Sequence, residues 1–255
     1  MIYFEDAWRV SDVSLGINLK PKMREKIVVG HRGAPNHAPE NTLKGYAAAW
    51  KLGADMVELD VQETRDGSLI CIHDYDLGRT TSGNGKVAES SLANIRELDA
   101  GEGEKVPLLS EALDLAKGDF ALDIEIKTEG IEDRALDLVK EHDMIESVIF
   151  SSFSENAVSS LRNLSDKAAI GLIVKSSGYE TVDCATELGM DFIAPLFYQL
   201  TEDSVSYAHE AGLGVYPWTV NDEDYMKQML DWNTDGIISD IPGVCAQVVD
   251  KHLQD

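Results

Sequence analysis

The chain has 255 residues, of which 44% are hydrophobic, and its 46 acidic side chains outnumber 22 basic ones to give a formal net charge of −24. This length fits one large α/β barrel or two ordinary domains. The negative charge argues against nucleic acid as a partner, and no stretch approaches the roughly 18 apolar residues of a membrane span, so we expect no stable membrane insertion.

Strands and amphipathic helices alternate along the chain from residue 26 to residue 255. This pattern predicts a single domain with a parallel sheet and helices packed outside it. Residues 1–25 show no clean periodicity, and we interpret them as an N-terminal extension. Strands are predicted at 26–30, 56–62, 69–73, 120–126, 147–152, 168–174, 192–196, 214–219 and 236–239, and helices at 42–52, 131–141, 155–164, 202–211 and 222–232.

Nine predicted strands are one too many for an eight-stranded barrel. The Asp66–Gly67 turn favours a hairpin between strands 56–62 and 69–73 without an intervening helix. Alternatively, one of the weaker segments is not a barrel strand. We predict an α/β fold of the TIM-type (β/α)8 barrel class, and a doubly wound open sheet is the competing architecture.

A long connection follows the strand that ends in His73. Residues from about 75 to 106 are rich in Gly, Ser and Thr, and a connection of that length inside a compact fold is usually functional. Because the carboxyl ends of barrel strands form the catalytic face, we expect this small insertion to lie beside or over the active site.

Carboxylates occupy two strands that should be almost continuously apolar in a parallel barrel. Glu58 and Asp60 share one face of strand 56–62, and Asp123 and Glu125 share one face of strand 120–126, with Lys127 directly after the strand on the same side. Several buried carboxylates repel each other unless a cation joins them, and oxygen ligands suit Mg²⁺ or Ca²⁺ better than zinc or copper. We therefore predict a divalent cation site, and salt bridges or helix caps for outward-pointing acids are the structural alternative.

Two histidines close predicted strands, His31 in IVVGHRG and His73 in LICIHD. Barrel active sites lie at the carboxyl ends of strands, and an imidazole titrates near neutrality. This pair therefore predicts a general acid and a general base. We interpret the other histidines as surface residues: His37, His142, His209 and His252.

Arg32 and Lys127 supply the local positive charge that a phosphate site needs on this acidic chain. A guanidinium offers forked donors to phosphate oxygens and an ammonium adds a compact charge, so both are candidate phosphate-binding residues. Pairing with a barrel carboxylate is the structural alternative for Arg32. In the segment that opens the first helix, Asn41 or Thr42 is the expected N-cap, and Glu40 suits the positive end of the helix.

The motifs HRGAPNHAPENT, VELDVQ, CIHD and DIEIK, in that order, resemble the glycerophosphodiester phosphodiesterase family, and SSF, PWTVN and TDGIISDIP fit it too. The resemblance runs from about residue 27 to the C-terminus. It implies a TIM barrel that hydrolyses glycerophosphodiesters, such as glycerophosphocholine and glycerophosphoethanolamine, to sn-glycerol 3-phosphate and an alcohol. It also implies Glu58, Asp60 and Glu125 as ligands of one Mg²⁺ or Ca²⁺ ion, and His31 and His73 as the acid–base pair.

The same resemblance assigns Arg32 and Lys127 to phosphate binding, Glu40 to the acid of the PEN motif, and Trp218 to an aromatic beside the glycerol. Related barrels suggest that the glycerol 2-hydroxyl attacks phosphorus to give a cyclic phosphate, which water then opens. Two alternatives remain open at this point. One is a lysophospholipase D or sphingomyelinase D-like activity on the same barrel, and the other is a non-catalytic barrel that binds a phosphorylated metabolite.

Three cysteines, Cys71, Cys184 and Cys245, lie far apart in or beside apolar runs and form no CxxC pair. This predicts buried thiols in a reducing compartment. Because the N-terminus shows no signal-peptide pattern, we expect a cytoplasmic protein. The sequence leaves a homo-oligomer open.

Overall fold

The computed structural model describes residues 23–254, so the predicted N-terminal extension, residues 1–25, lies outside this range except for its last three residues. Eight parallel strands form a nearly closed barrel in the order β8-β7-β6-β5-β4-β2-β1-β9. The predicted (β/α)8 barrel is confirmed, and the doubly wound open sheet is wrong. The strands are β1 (Ile27–Gly30), β2 (Met56–Glu63), β3 (Leu69–Cys71), β4 (Ala121–Ile126), β5 (Val148–Ser152), β6 (Ala169–Val174), β7 (Phe192–Pro195), β8 (Gly214–Val215) and β9 (Gly236–Ser239).

Helices cover the outside of this barrel, and the described part of the chain contains none that combines the length and hydropathy of a membrane span. Short 3₁₀ helices also form at Val87–Glu89 and Phe197–Gln199. The α-helices are α1 (Leu43–Lys51), α2 (Leu92–Glu97), α3 (Leu109–Ala116), α4 (Glu132–Glu141), α5 (Glu155–Leu164), α6 (Tyr179–Glu187), α7 (Glu202–Glu210), α8 (Glu223–Asp231) and α9 (Pro242–His252).

Strand β3 is the one strand of the described residues that is not a member of the eight-stranded barrel, and it forms a hairpin with β2. It pairs antiparallel with β2, and Gly67 supplies the positive φ of 84° that the turn requires. The chain then runs back beside β2, where the Ile72 amide donates to the Asp60 carbonyl at 2.9 Å. His73 therefore reaches the carboxyl end of the barrel by folding back along β2, whereas we had predicted that it closes a barrel strand.

Strand β8 is shorter than the predicted strand 214–219 because Pro217 has no N–H to donate to the ladder. Pairing with β7 resumes at Trp218, whose amide donates to the Pro195 carbonyl at 3.0 Å. On the other side, the Ile238 amide of β9 donates to the Pro217 carbonyl at 3.0 Å. The second of these bonds links β9 to the segment after β8, where the two ends of the sheet meet.

The barrel interior changes from apolar to acidic along the strands. Side chains alternate between the two faces of a strand, so Met56 is followed on the inner face by Glu58 and Asp60. In the same way Ala121 is followed by Asp123 and Glu125. The apolar filling of the barrel comprises Val29, Met56, Ala121, Ile149, Ala169, Ile173, Phe192, Ala194, Tyr216 and Ile238. The acidic residues therefore lie above this filling, at the carboxyl end where the helices leave the barrel open.

The insertion at 75–106 is folded and has a small core of its own. It contains α2 and the 3₁₀ helix Val87–Glu89, and its apolar side chains pack onto the β2–β3 hairpin. The residues of this cluster are Ile70, Ile72, Leu77, Val87, Ile95, Ala100 and Val106. The hairpin that carries His73 is thus held between the barrel and the insertion.

Candidate active site

Three buried carboxylates converge at the carboxyl end of the barrel. Glu58, Asp60 and Glu125 each offer one oxygen, and these oxygens all lie within 4.8 Å of one another. The parallel register of β2 and β4 sets Asp60 opposite Glu125. Two of the buried oxygens, Glu58 Oε1 and Asp60 Oδ1, have no hydrogen-bond partner. Unsatisfied oxygens on clustered acids fit a divalent cation, which prefers oxygen ligands.

The pKa values of these three acids reflect their burial and their closeness to one another. Burial and the nearby charge of Asp60 raise the pKa of Glu58 well above its usual range and that of Glu125 to about 7. Burial also acts to raise the pKa of Asp60, but the charges of Arg32 and Lys127 outweigh it and lower that pKa. A bound cation would favour the ionised form of all three acids.

Arg32 and Lys127 both contact the acidic cluster. Lys127 Nζ lies 2.8 Å from Glu125 Oε1 and 3.4 Å from Asp60 Oδ1. Arg32 Nη1 donates to Glu40 Oε1 at 3.0 Å, and Arg32 Nε lies 3.3 Å from Asp60 Oδ2 without forming a hydrogen bond. Arg32 thus makes the carboxylate pairing that we had weighed against phosphate binding, and it also lines the pocket.

A tight turn after β1 aims the Arg32 backbone at the same acids. Arg32 has a φ of 52° and Gly33 a φ of 96°, a region that favours glycine. A side chain at Gly33 would also collide with the backbone of α1, since a Cβ there would lie 2.6 Å from the Gly45 carbonyl carbon. The turn directs the Arg32 amide to Glu58 Oε2 at 2.7 Å.

Asn41 supports the acidic cluster and does not cap α1. Its side-chain amide donates to Asp60 Oδ2 at 2.7 Å, and its carbonyl oxygen accepts from the Asp60 amide and the Tyr46 hydroxyl. The N-cap of α1 is Thr42, whose hydroxyl accepts from the Gly45 amide at 3.0 Å. Of the two N-cap candidates, the structure therefore selects Thr42.

His31 is held by a carboxylate that the sequence analysis did not single out. Its Nδ1 lies 2.7 Å from Oδ1 of Asp240, the residue that follows β9. Asn221 donates to the other oxygen of Asp240 at 2.6 Å and accepts from its backbone amide at 2.9 Å. With Nδ1 engaged, Nε2 is the ring nitrogen available for proton transfer.

His73 is held in a similar way by the next residue in the chain. Its Nδ1 lies 2.6 Å from Asp74 Oδ1, and the buried amide of Gln62 donates to the carbonyls of Ile72, His73 and Asp74 at 2.9 Å each. Burial lowers the pKa of His73, although the charge of Asp60 and the hydrogen bond with Asp74 act to raise it. Arg79 of the insertion in turn binds Asp74.

A cavity of about 150 Å³ is lined by both histidines, by Arg32 and by two acids of the triad, Glu58 and Glu125. Its apolar side includes Trp218, whose indole N–H donates to the Ala194 carbonyl at 2.7 Å and whose ring meets Phe153 edge-on at 5.5 Å between centroids. At its acidic side Asp123 accepts from the Ser151 hydroxyl, and burial raises the pKa of Asp123 to about 7. The lining residues are His31, Arg32, Glu58, His73, Asp123, Glu125, Phe153, Ile173, Ala194, Trp218 and Ile238.

Of the residues predicted for the site, Glu40, Asp60 and Lys127 lie behind this lining and contact it through Arg32 and Glu125. The remaining predicted residues line the cavity directly. A (β/α)8 barrel with two carboxylate-backed histidines, a triad of convergent acids and adjacent basic residues has the make-up of a phosphoric diester hydrolase.

Comparison with known proteins identifies the family within this class. Residues 31–244 match the glycerophosphoryl diester phosphodiesterase family, and the chain belongs to that family. A glycerophosphodiester phosphodiesterase of Caldanaerobacter subterraneus subsp. tengcongensis is 34% identical over 238 residues, which cover 88% of this chain and 98% of the relative. One from Bacillus subtilis is 32% identical over 94% of this chain and 91% of its own length. The resemblance seen in the motifs is confirmed.

Solved structures agree with this assignment. A phosphodiesterase from Oleispira antarctica, in complex with the product sn-glycerol-3-phosphate, superimposes with a TM-score of 0.82 at 30% identity. The match covers 88% of this chain and 96% of that one. A glycerophosphodiester phosphodiesterase from Agrobacterium tumefaciens gives a TM-score of 0.78 at 29% identity, over 87% of this chain and 99% of that one.

Proposed function

We propose that this chain is a metal-dependent glycerophosphodiester phosphodiesterase that releases sn-glycerol 3-phosphate and an alcohol from substrates such as glycerophosphocholine and glycerophosphoethanolamine. The observation that carries the proposal is the meeting of two carboxylate-backed histidines and a convergent acidic triad at one cavity. The product bound by the Oleispira antarctica relative supports the choice of substrate. Residues 26–255 would form the single catalytic domain.

His31 and His73 would transfer the protons of the reaction. Both present Nε2 while Nδ1 is engaged by a carboxylate, and a carboxylate partner fixes the tautomer and orientation of an imidazole. One histidine would take the proton of the attacking hydroxyl, and the other would protonate the departing alcohol. The attacking hydroxyl would be the glycerol 2-hydroxyl, with a cyclic phosphate opened by water in a second step.

Glu58, Asp60 and Glu125 would hold the cation, and their all-oxygen donor set suits Mg²⁺ or Ca²⁺. A divalent cation bound here would stabilise negative charge on the phosphoryl oxygens. Asn41 holds Asp60 by a hydrogen bond to Oδ2, and Lys127 holds Glu125 by one to Oε1.

Arg32 lines the cavity and would contact the substrate phosphate, and Lys127, behind Glu125, would add positive charge to the same phosphate site. The guanidinium of Arg32 is positioned by Glu40 on one side and by Asp60 on the other, so it is oriented before substrate arrives. Glu40 would thus serve the phosphate indirectly, through Arg32. The ring of Trp218 lines the opposite side of the cavity and would pack against the glycerol carbons.

The test is an enzyme-coupled assay for glycerol 3-phosphate released from glycerophosphocholine, with and without EDTA. We expect activity that EDTA abolishes and that Mg²⁺ or Ca²⁺ restores, and we expect a His31→Ala variant to be nearly inactive. Activity that persists in EDTA, or full activity of His31→Ala, would contradict the proposal. Lysophosphatidylcholine in parallel tests the acyl-substrate alternative, which a higher rate on that substrate would favour.

The cellular setting forms part of the same proposal. Cys71, Cys184 and Cys245 are free thiols, and Cys184 is partly exposed whereas we had predicted it buried. Free thiols and the acidic composition support a cytoplasmic enzyme that acts on small molecules and not on nucleic acid. A homo-oligomer is compatible with this setting.

A further inference from the structure

The insertion contributes an arginine that bridges two segments of the active site, the loop after β1 and the segment after β3. Arg79 donates from Nε and Nη2 to the two carboxylate oxygens of Asp74, at 2.7 and 2.9 Å. Its Nη1 and Nη2 donate to the two oxygens of Glu40, at 2.7 and 2.8 Å. The guanidinium thus forms forked pairs with two carboxylates at once, the geometry in which arginine cannot be replaced by lysine without loss.

Both partners of Arg79 contact residues that we place in the chemistry. Asp74 accepts from His73 Nδ1 at 2.6 Å, and Glu40 accepts from Arg32 Nη1 at 3.0 Å. One side chain outside the cavity lining therefore links the orientation of an acid–base histidine to that of a phosphate-contacting arginine. The hydrogen bond from Arg79 also keeps the pKa of Asp74 well below its usual range, so Asp74 stays an acceptor.

The fold of the insertion fixes Arg79 in this position. The turn that carries it is closed by the Thr81 amide and hydroxyl, which both donate to the Leu77 carbonyl. Leu77 is buried in the small core that the insertion shares with the β2–β3 hairpin. Arg79 itself is only about half covered, with 45% of its side chain exposed, so its rigidity comes from its four hydrogen bonds and from this anchored turn.

We propose that Arg79 is a positioning residue for phosphodiester hydrolysis, which holds His73 through Asp74 and Arg32 through Glu40. The proposal rests on the function proposed above. It also gives the insertion a role in catalysis, because the insertion presents the side chain that joins the loop after β1 to the segment after β3.

The first test compares Arg79→Gln and Arg79→Lys with the wild type in steady-state hydrolysis of glycerophosphocholine. We expect Arg79→Gln to lower kcat by roughly 10- to 100-fold, the range in which loss of a supporting partner reduces activity, with a smaller change in KM. Arg79→Lys keeps the charge but not the fork, and we expect it to recover part of the lost kcat. A kcat for Arg79→Gln equal to that of the wild type would overturn the proposal.

Arg96 provides a matched control within the same insertion. Its Nη1 and Nη2 donate to the two oxygens of Glu111, at 2.6 and 2.9 Å, but this pair caps α3 and does not contact the site. We expect Arg96→Gln to lower the melting temperature at least as much as Arg79→Gln while leaving kcat unchanged. An equal loss of kcat in both variants would show that the insertion matters only for stability.

A double-mutant cycle tests whether Arg79 acts through Asp74. In an Asp74→Asn background, we expect Arg79→Gln to cost much less than in the wild type, because residues in one network are not additive. Additive losses, within about twofold, would overturn the assigned route through His73.

Nuclear magnetic resonance of the imidazole nitrogens gives a readout that does not depend on any substrate. We expect Arg79→Gln to shift the His73 Nδ1 signal while the His31 signal, backed by Asp240, stays in place. If the His73 signal shifts in Arg79→Gln but the wild type has no phosphodiesterase activity, the proposed function is contradicted and the positioning of His73 by Arg79 is not. An unchanged His73 signal in an active enzyme would contradict the positioning alone.

Discussion

The active-site cavity has two walls that come from the two halves of the chain. The elements up to β4 line it with polar side chains: His31, Arg32, Glu58, His73, Asp123 and Glu125. The elements from β5 to β9 line it with apolar ones: Phe153, Ile173, Ala194, Trp218 and Ile238. The same barrel geometry therefore builds a polar wall and an apolar wall, and the difference lies in which inward positions carry charge.

The apolar wall affects the chemistry of the polar one. Side chains such as Ile173 and Trp218 exclude water and lower the local dielectric, so the charges opposite them interact more strongly than they would in water. Burial away from water also disfavours the charged form of an acid, which raises the pKa values of Glu125 and Asp123 to about 7. We expect changes on the polar wall to alter kcat and changes on the apolar wall to alter KM.

The largest effect is expected from the histidines. Replacement of His31 or His73 by Gln removes a proton-transfer group and should lower kcat by about 10²- to 10⁴-fold. The measurement is the initial rate of glycerol 3-phosphate release at saturating substrate. His252→Gln, at the end of α9 and outside the cavity lining, is the control and should retain full activity. A variant at either site histidine with wild-type kcat would place that residue outside the chemistry.

The acidic triad should show itself in stability as well as in activity. A cation that binds only the folded state stabilises it by about 2.7 kcal/mol at 100 times its Kd, so Mg²⁺ or Ca²⁺ should raise the melting temperature of EDTA-treated protein. Glu58→Gln should abolish both this shift and the activity. The control is Glu63→Gln on the same strand, where Glu63 pairs with Arg134 outside the site. A cation-induced shift that survives in Glu58→Gln would contradict this triad as the site.

The stability of the metal-free protein should depend on pH through the buried carboxyl of Asp123. The pKa of Asp123 is raised from 3.8 to about 7 in the folded state, so folding favours its protonated form. The stability that this group contributes is therefore lost as pH rises from about 4 to about 7. In EDTA, wild type should lose stability relative to Asp123→Asn across this window, by a few kcal/mol at most. Denaturant melts at several pH values measure it, and a difference that does not change with pH would refute it.

The smallest effect is expected on the apolar wall. Phe153 is 43% exposed and meets Trp218 edge-on, with Lys127 Nζ 6.0 Å from its ring centroid. Phe153→Ala should raise KM by up to about tenfold, the equivalent of a partly buried ring, with little change in kcat. Tyr179→Ala removes an aromatic ring that is 57% exposed, at the start of α6 and outside the cavity lining, and serves as the control. If Phe153→Ala lowers kcat and leaves KM unchanged, the apolar wall does not act mainly in substrate binding.

The polar wall could be predicted from the sequence because its signals are local. Glu58, Asp60 and Glu125 interrupt apolar strands, and His31 ends one, so periodicity alone places them at one end of a barrel. The same strand-end rule would have pointed to Asp240, which directly follows β9. A single acid after a strand is common, however, so this position alone does not indicate a role.

Other parts of the site depend on tertiary structure and had no local signal. His73 reaches the cavity only because β3 folds back along β2, although the turn itself was predicted from Asp66–Gly67. Arg79 lies in a connection without periodicity, and its partner Glu40 is 39 residues away in the sequence. Pairings of this kind follow from how the insertion packs, which composition does not encode.

The most direct test of the central claim is a ³¹P spectrum of glycerophosphocholine incubated with the protein and Mg²⁺ or Ca²⁺. We predict that the diester signal is replaced by that of sn-glycerol 3-phosphate, with free choline as the other product, and that EDTA prevents the change. The appearance of phosphocholine would contradict the account, and so would a diester signal that persists with both Mg²⁺ and Ca²⁺.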